Sequence, residues 1–445
     1  MPSAHKLPLL VVGAGPVGLA LARALRQSGQ PYILIDAATD VGGNWLHGTP
    51  AHARIISSRR TTAYTDFKMA QHHGDFPDRD AMLRYLQEFS RVHGMGTALQ
   101  PDTKLLALRS QIPSDGNTVY TARTNMGELE ARGVYLCTGH HWARRYPSWA
   151  AHYTGESLHS KNYKEHAQLY GRARVLVVGS GNSAADIACD AAREGAHVDM
   201  CVRGGRWLLP KTIGGKPTVE RMNSMAPEAL QKRALRTHMR QAHGAFAYLG
   251  GKPDHDIFDK HVTLSDELGP LLRARRVQVR GEVLRASGEE IHYQDGTVAT
   301  YDLVVYATGY DLRFPFLPRG TVPTEGQHAQ LYGGAMTRAH KQLYVVGASQ
   351  PRYGFGPLIA PAAALLARYG TWQGQLHRPL GELYAQLGLK PAKSPFSNPR
   401  KAVRDIRLAG MCLPLLKAAD MWLLRMQGPF VPVPLSTPAP LEQAS

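Results

Sequence analysis

Two short stretches of the sequence carry glycines at the spacing that lets a main chain close around a pyrophosphate. They are Gly13-Ala-Gly15-Pro16-Val-Gly18 and Gly179-Ser-Gly181-Asn182-Ser183-Ala184. In each, the first glycine permits a sharp turn and the second leaves room for the phosphates, while the third small residue lets the following helix pack closely on the strand before it. The helix then offers free N–H groups to the anion. The end of the next strand distinguishes the two turns. The first unit's second strand, Tyr32 to Ile35, ends in Asp36, which suits ribose hydroxyls; the second unit's, Ala196 to Val202, ends in Arg203, with Arg206 and Lys211 just beyond. A carboxylate there would repel a 2′-phosphate, whereas a guanidinium binds it bidentately. The first turn is therefore predicted to take FAD and the second to take NADPH in preference to NADH.

Such turns need strands that end at them and helices that start from them. The apolar runs before Gly13 and at Val175 to Val178 read as buried strands, with a helix after Gly18 and another reaching about Arg193. Buried strands at Gly133 to Cys137 and Asp302 to Tyr306 run into Thr138-Gly139 and Thr308-Gly309, exits that let the chain leave a sheet beside a cofactor. The fold class is α/β, with two Rossmann-like dinucleotide-binding domains, the NADP domain inserted into the FAD domain. The expected division is 1–165 and 306–390 for the FAD-binding domain, 166–305 for the NADP-binding domain and 391–445 for a C-terminal extension.

Composition narrows the setting. The chain has 445 residues, 43% hydrophobic and 20% charged, which is ordinary for a globular protein of two or three domains. Cys137, Cys189, Cys201 and Cys412 are scattered, with no CxxC or metal-ligand spacing. That predicts a reducing, cytoplasmic setting, and it excludes dithiol reductase chemistry and a cysteine metal site. The net charge of +17 comes without a nucleic-acid motif, so no nucleic-acid partner is expected.

Further elements flank the turns. Asp40-Val-Gly-Gly43-Asn44-Trp45 reads as a close-approach loop beside a large planar ligand. Residues 51–69 lack a helical period and are expected to be extended, whereas Asp80 to His93 has the apolar face of an amphipathic helix. Lys104 to Leu108 and Thr118 to Thr124 read as strands joined by a turn at Pro113 to Asn117, and His140, His141 and Trp142 are given a surface or cleft role. Residues 212–272 form an excursion from the second unit, with a helix near Pro227 to His243. Gly354-Phe-Gly356-Pro357 leads into a helix from Leu358 to Tyr369 with Gly370 as its cap, and its N-terminus would stabilise a reduced flavin. The tail's Leu408 to Met426 reads as an amphipathic segment docked on the body or on a membrane surface, and the last 15 residues, starting at Val431, as poorly ordered.

A family resemblance ties these features together. Tyr153-Thr-Gly155-Glu-Ser-Leu-His159-Ser-Lys-Asn-Tyr163 matches the FxGxxxHxxxY/F fingerprint of the flavin-containing monooxygenases, with tyrosine in the leading place, just ahead of the second turn. GGNW at 42–45, YTDF at 64–67 and ATGY at 307–310 also look like that family's motifs, so the chain resembles it over roughly residues 7 to 370. The resemblance implies that NADPH reduces the flavin, oxygen adds at C4a, and the hydroperoxide passes one oxygen atom to a soft nitrogen or sulfur nucleophile of small size while bound NADP⁺ shields it. It further implies cofactor contacts at Gly43, Asn44, Trp45, His159, Tyr163, Gly309 and Gly356, and a role for Asp66 in the reaction centre. One departure stands out. The family's asparagine before YTDF is missing, and Ile55-Ile-Ser57-Ser58 occupies the place, so Ser57 or Ser58 is expected to supply its hydrogen bond, with leakage of peroxide. Baeyer–Villiger and oxidative-decarboxylating monooxygenases, whose motifs match less well, an uncoupled NADPH oxidase and a flavin-binding redox sensor are the alternatives.

Overall fold

Short strands buried on both faces, such as those at 9–12, 133–136 and 303–306, are satisfied inside a parallel sheet covered by helices. Ten parallel strands, those at 99–100, 157–159 and 277–280 partly exposed, organise this chain. The computed structural model describes residues 7–50, 52–113, 117–222, 226–325 and 328–436. In chain order the strands are β1 (Leu9–Val12), β2 (Tyr32–Ile35), β3 (Leu99–Gln100), β4 (Gly133–Leu136) and β5 (Ser157–His159). There follow β6 (Arg174–Val178), β7 (His197–Cys201), β8 (Val277–Arg280), β9 (Leu303–Tyr306) and β10 (Leu343–Val345). They form two five-stranded parallel sheets, ordered β10-β4-β1-β2-β3 and β8-β7-β6-β9-β5. Leu10 stands in register with Ile33 on one side and Val134 on the other, and Val177 with Met200 and Val305. Each glycine turn thus leaves the strand at which the order reverses, the position where doubly wound sheets bind ligands.

The second sheet is inserted between β4 and β10. It includes β5, which pairs with β9 through Leu158 and Val305, so strand pairing puts residues 157–159 with the second unit, ahead of the expected break at 165. Helix α1 (Pro16–Gln27) covers the first sheet and α2 (Asn182–Arg193) the second. The excursion builds its own core. Arg206–Leu209 pairs with Tyr248–Leu249 and with Thr263–Leu264, and helix α3 (Glu228–His243) packs Met239 against Trp207 and Phe258.

Several expectations need correction. Residues 59–62, read as extended, form a helical turn capped by Ser58, because a cap side chain can satisfy a single turn that has no amphipathic period. The strand pair at 105–124 has a third member, Gly127–Ala131, and part of its expected turn, 114–116, lies outside the described residues. Helix α4 runs from Gly356 to Trp372, through Gly370. That glycine is a packing position rather than a cap, since a Cβ would come within 2.5 Å of the Tyr135 hydroxyl. The tail forms two helices, α5 (Pro399–Met411) and α6 (Leu413–Gln427), with Leu413 and Leu416 in the core of the first unit. Residues 431–436, expected to be poorly ordered, include a buried Leu435 whose N–H donates to Ser110 Oγ at 2.8 Å; 437–445 lie outside the described residues.

Candidate functional site

The first turn is held by contacts that no larger residue would allow. Gly13 has φ +108°, and a Cβ there would lie 2.4 Å from the Cys137 carbonyl; one on Gly18 would lie 1.8 Å from the Gly13 carbonyl. Gly43, at φ +56°, brings the next loop against Gly15, where a Cβ would sit 2.9 Å from the Gly15 Cα. Helix α1 starts with Pro16 and has neither a side-chain cap nor an acidic residue in its first turn, so its free N–H groups remain for an anion. Asp36 braces the turn, accepting from the Ala14 N–H at 2.5 Å and the Ala38 N–H at 2.8 Å. Burial raises its pKa and the two backbone donors oppose that. A carboxylate has about four acceptor positions, which leaves room for ribose hydroxyls. These residues fit the adenosine diphosphate end of FAD.

The second turn repeats the design with different side chains. Gly179, at φ +137°, would place a Cβ 2.4 Å from the Ala307 carbonyl, and Ala184 is fully buried against the sheet. Helix α2 again lacks a side-chain cap and an acidic first turn, and Ser183 is exposed at its start. Asn182 faces the excursion, accepting from the Leu264 N–H at 2.8 Å and donating to the Val262 carbonyl at 3.4 Å. Arg203 is exposed and makes no ion pair among the described residues. Arg206 sits beside the turn, donating to the His261 carbonyl at 2.6 Å and reaching Ser180 Oγ at 3.4 Å. Burial lowers its pKa. Lys211 lies 3.7 Å from Asp186, whereas Arg203 and Arg206 make no ion pair among the described residues.

Between the turns, the fingerprint side chains bond to protein. The His159 ring accepts from the Lys161 N–H at Nδ1 (3.0 Å) and donates from Nε2 to the Gly309 carbonyl at 3.1 Å, in a glycine at φ +82°. Both bonds require the neutral tautomer, and burial lowers its pKa. Tyr163 is buried and donates to Asp190 of α2 at 2.9 Å, and the same carboxylate meets His52 at 3.0 Å and Arg193 at 2.7 Å.

Asp66 pairs with the buried Arg23 of α1 at 2.8 Å, about two helical turns from Gly15. Burial pushes its carboxyl up, but the Arg23 hydrogen bond and charge outweigh that and hold it below the usual range. Its neighbour Tyr64 donates to the Pro16 carbonyl at 2.6 Å, so YTDF clasps α1 from the side.

Where the two units meet there is a cavity of about 120 Å³. Ser57 and Gly354 come to it from the first unit, His261 and Val262 from the strand that Asn182 holds, and Phe396 from the tail. Ser57 shares a hydrogen bond with Thr62 Oγ1 at 2.6 Å, whereas Ser58 is fully buried and caps residues 59–62. Of the two serines, only Ser57 lines the cavity. Gly354 and Gly356 lie tight against the Thr61 and Ala63 carbonyls, at Cβ distances of 2.4 and 2.1 Å. Gly354 lines the cavity two residues ahead of the uncapped start of α4.

A profile of the family described as flavin-binding monooxygenase-like matches residues 6–372. The chain belongs to this family. It is an FAD- and NADPH-dependent monooxygenase, as the two turns and the fingerprint led us to expect. The N-oxide-forming dimethylaniline monooxygenase 2 of Rattus norvegicus is 28% identical, over 81% of this chain and 72% of its own length. Flavin-containing monooxygenase 5 of the same species is 25% identical, over 86% and 75%. In fold the chain is similar to OTEMO in complex with FAD and NADP, with TM-score 0.69 and 15% identity over 92% of this chain and 98% of that one.

The monooxygenase also has site residues that its sequence did not reveal. Lys161, inside the fingerprint, donates from Nζ to Asn44 Oδ1 at 2.7 Å and to the His141 carbonyl at 2.9 Å. It therefore joins the first unit's GGNW loop to the carboxyl end of β5. Trp45 packs partly buried on the first core. Burial, then the charges of Lys164 and Arg144, push the Lys161 pKa down to about 8. Burial, with the Arg206 charge, pushes His261 down to about 4. Spacing could have flagged Lys161, which lies two residues past His159; nothing in the sequence marked His261.

Proposed function

We propose that this monooxygenase seats FAD on the Gly13–Gly18 turn and NADPH on the Gly179–Ala184 turn, and oxygenates a small soft nitrogen or sulfur nucleophile in the cavity between them. The observation that carries this reading is the cavity's composition. Ser57 and Gly354 reach it from the first unit, and residues 261–262, just ahead of a strand tethered to the second turn, reach it from the other side. When bound, FAD supplies oxygen activation and NADPH the hydride. The protein's share is to bind, orient and exclude water. Asp36 is assigned to a ribose, Arg203 and Arg206 to the 2′-phosphate, Ser57 to a hydrogen bond at the flavin edge, and the α4 N-terminus to charge on the reduced ring. His159, Tyr163 and Asp66 are assigned positioning roles, because their polar atoms are bonded to protein. We assign residues 7–156 and 307–390 to the FAD-binding part and 157–306 to the NADP-binding part. The test is product analysis on an amine, a thioether, a ketone and a 2-oxo acid with the purified holoenzyme. Oxide formation on the first two supports the reading, and a lactone or a decarboxylated acid as the sole product refutes it.

We further propose that the protein is cytoplasmic and meets anionic membranes through α5 and α6. No helix among the described residues is long and apolar enough to cross a membrane. Met411, Leu415, Trp422 and Met426 are 75, 68, 60 and 66% exposed, among Arg404, Arg407, Lys417 and Arg425. Such a face suits the plane of a bilayer interface. Cosedimentation with phosphatidylserine vesicles is expected, and its absence at low salt contradicts the proposal.

A further inference from the structure

We infer that the cavity selects a thioether that carries a carboxylate and disfavours protonated amines; this rests on the monooxygenase reading above. The walls are apolar, with Met222, Phe258, Tyr353 and Phe396 prominent, and the charged side chains that line the cavity are Lys260 and Arg352, with no carboxylate among the lining residues. Arg352 is 19% exposed, and its guanidinium lies over the Phe258 ring at 5.2 Å. Its Nε and Nη1 are buried without a hydrogen-bond acceptor among the described residues. The nearest carboxylate is Glu228, 3.7 Å from Nη1, which is 48% exposed and also bonds Lys232 at 2.9 Å. Lys260, itself 53% exposed, meets only the 87% exposed Asp254 at 3.8 Å among the described residues.

A ligand carboxylate entering the cavity would meet two cations there, and a guanidinium pairs with a carboxylate more strongly than with a neutral acceptor. An apolar body beside Phe258 and Phe396 with an acid at Arg352 answers both the shape and the charge of the cavity. A protonated amine would meet two cations and no anion in a partly desolvated space. It also holds its lone pair as an N–H bond, so its nitrogen is not nucleophilic. A thioether sulfur is neutral at pH 7. The reaction balances as thioether, O₂, NADPH and H⁺ giving sulfoxide, water and NADP⁺. Sulfur loses two electrons and gains one oxygen atom, NADPH supplies two electrons, and the second oxygen atom leaves as water.

The test compares kcat/KM of the holoenzyme, at saturating NADPH, for phenylthioacetic acid, its methyl ester and N,N-dimethylbenzylamine, with oxidised products followed by mass spectrometry. The acid is expected to exceed the ester by tenfold or more, and the amine to be poorest. Arg352→Gln is expected to lower the acid-to-ester ratio at least tenfold, with KM for NADPH unchanged. Should that variant fail to fold, the wild-type ratio decides alone, and Lys260→Gln gives a second, smaller fall in it. An ester turned over as well as the acid, or an amine preferred to both, overturns the inference and leaves the monooxygenase reading standing. NADPH consumption with no oxygenated product from any of the three overturns both.

Discussion

The Tyr163 hydroxyl donates to the Asp190 carboxylate across 2.9 Å, fastening the end of the fingerprint to the last turn of α2. Both groups are buried, and Asp190 keeps His52 and Arg193 when the tyrosine is gone. Tyr163→Phe is therefore expected to cost about 1.5–3 kcal/mol, the worth of one hydrogen bond to a charged partner. Urea unfolding of the holoenzyme measures it. A tenfold rise in KM for NADPH at unchanged stability would instead make Tyr163 a cofactor contact.

Ser57 and Ser58 are predicted to separate. Ser58→Ala removes a helix cap and should cost about 0.5–2 kcal/mol while the yield of product per NADPH stays the same. Ser57→Ala should leave the unfolding midpoint nearly unchanged and raise the share of NADPH electrons that appear as hydrogen peroxide. Equal leakage from both variants would contradict this division.

Arg203 is predicted to set the preference for NADPH. Replacing it by glutamine should raise KM for NADPH about tenfold, equivalent to about 1.4 kcal/mol, and leave KM for NADH unaffected. Steady-state kinetics with both nucleotides decide it. A proportional rise for both would show that Arg203 acts on something other than the 2′-phosphate.

Lys161 supplies a pH dependence. Its pKa lies at about 8 in the free protein, lowered chiefly by burial. An incoming anion would raise it, so binding takes up a proton above that pH. Affinity for NADP⁺ is expected to fall as pH rises beyond about 8, and that fall should be absent in Lys161→Gln. Calorimetry across pH 7 to 9.5 checks it; an identical slope in the variant would place Lys161 out of reach of the nucleotide.

The elements that carry the cofactors were legible because each combined two signals, an apolar run and a glycine turn. Tyr32–Ile35 and Asn182–Arg193 fall where sequence spacing puts them. The fingerprint showed its register but not its partners, since the bonds from His159 to Gly309 and from Tyr163 to Asp190 span 150 and 27 residues. For the same reason the ion pair that Arg23 makes with Asp66, far along the chain, was not visible in the sequence. The cavity was the least legible part. It draws Ser57, His261, Arg352 and Phe396 from four distant segments, and no periodicity announces such a convergence. Beside α4, the end of the helix was misplaced because a glycine suggests a cap by sequence alone, whereas Gly370 answers to the nearby Tyr135 hydroxyl.

The most direct test is turnover of a thioether by the purified holoenzyme with NADPH under ¹⁸O₂. The account predicts a sulfoxide with one labelled oxygen atom, formed in near proportion to NADPH consumed, with a minor share lost as labelled hydrogen peroxide. NADPH oxidised with all of its electrons recovered as hydrogen peroxide, and no label in the thioether, would contradict it.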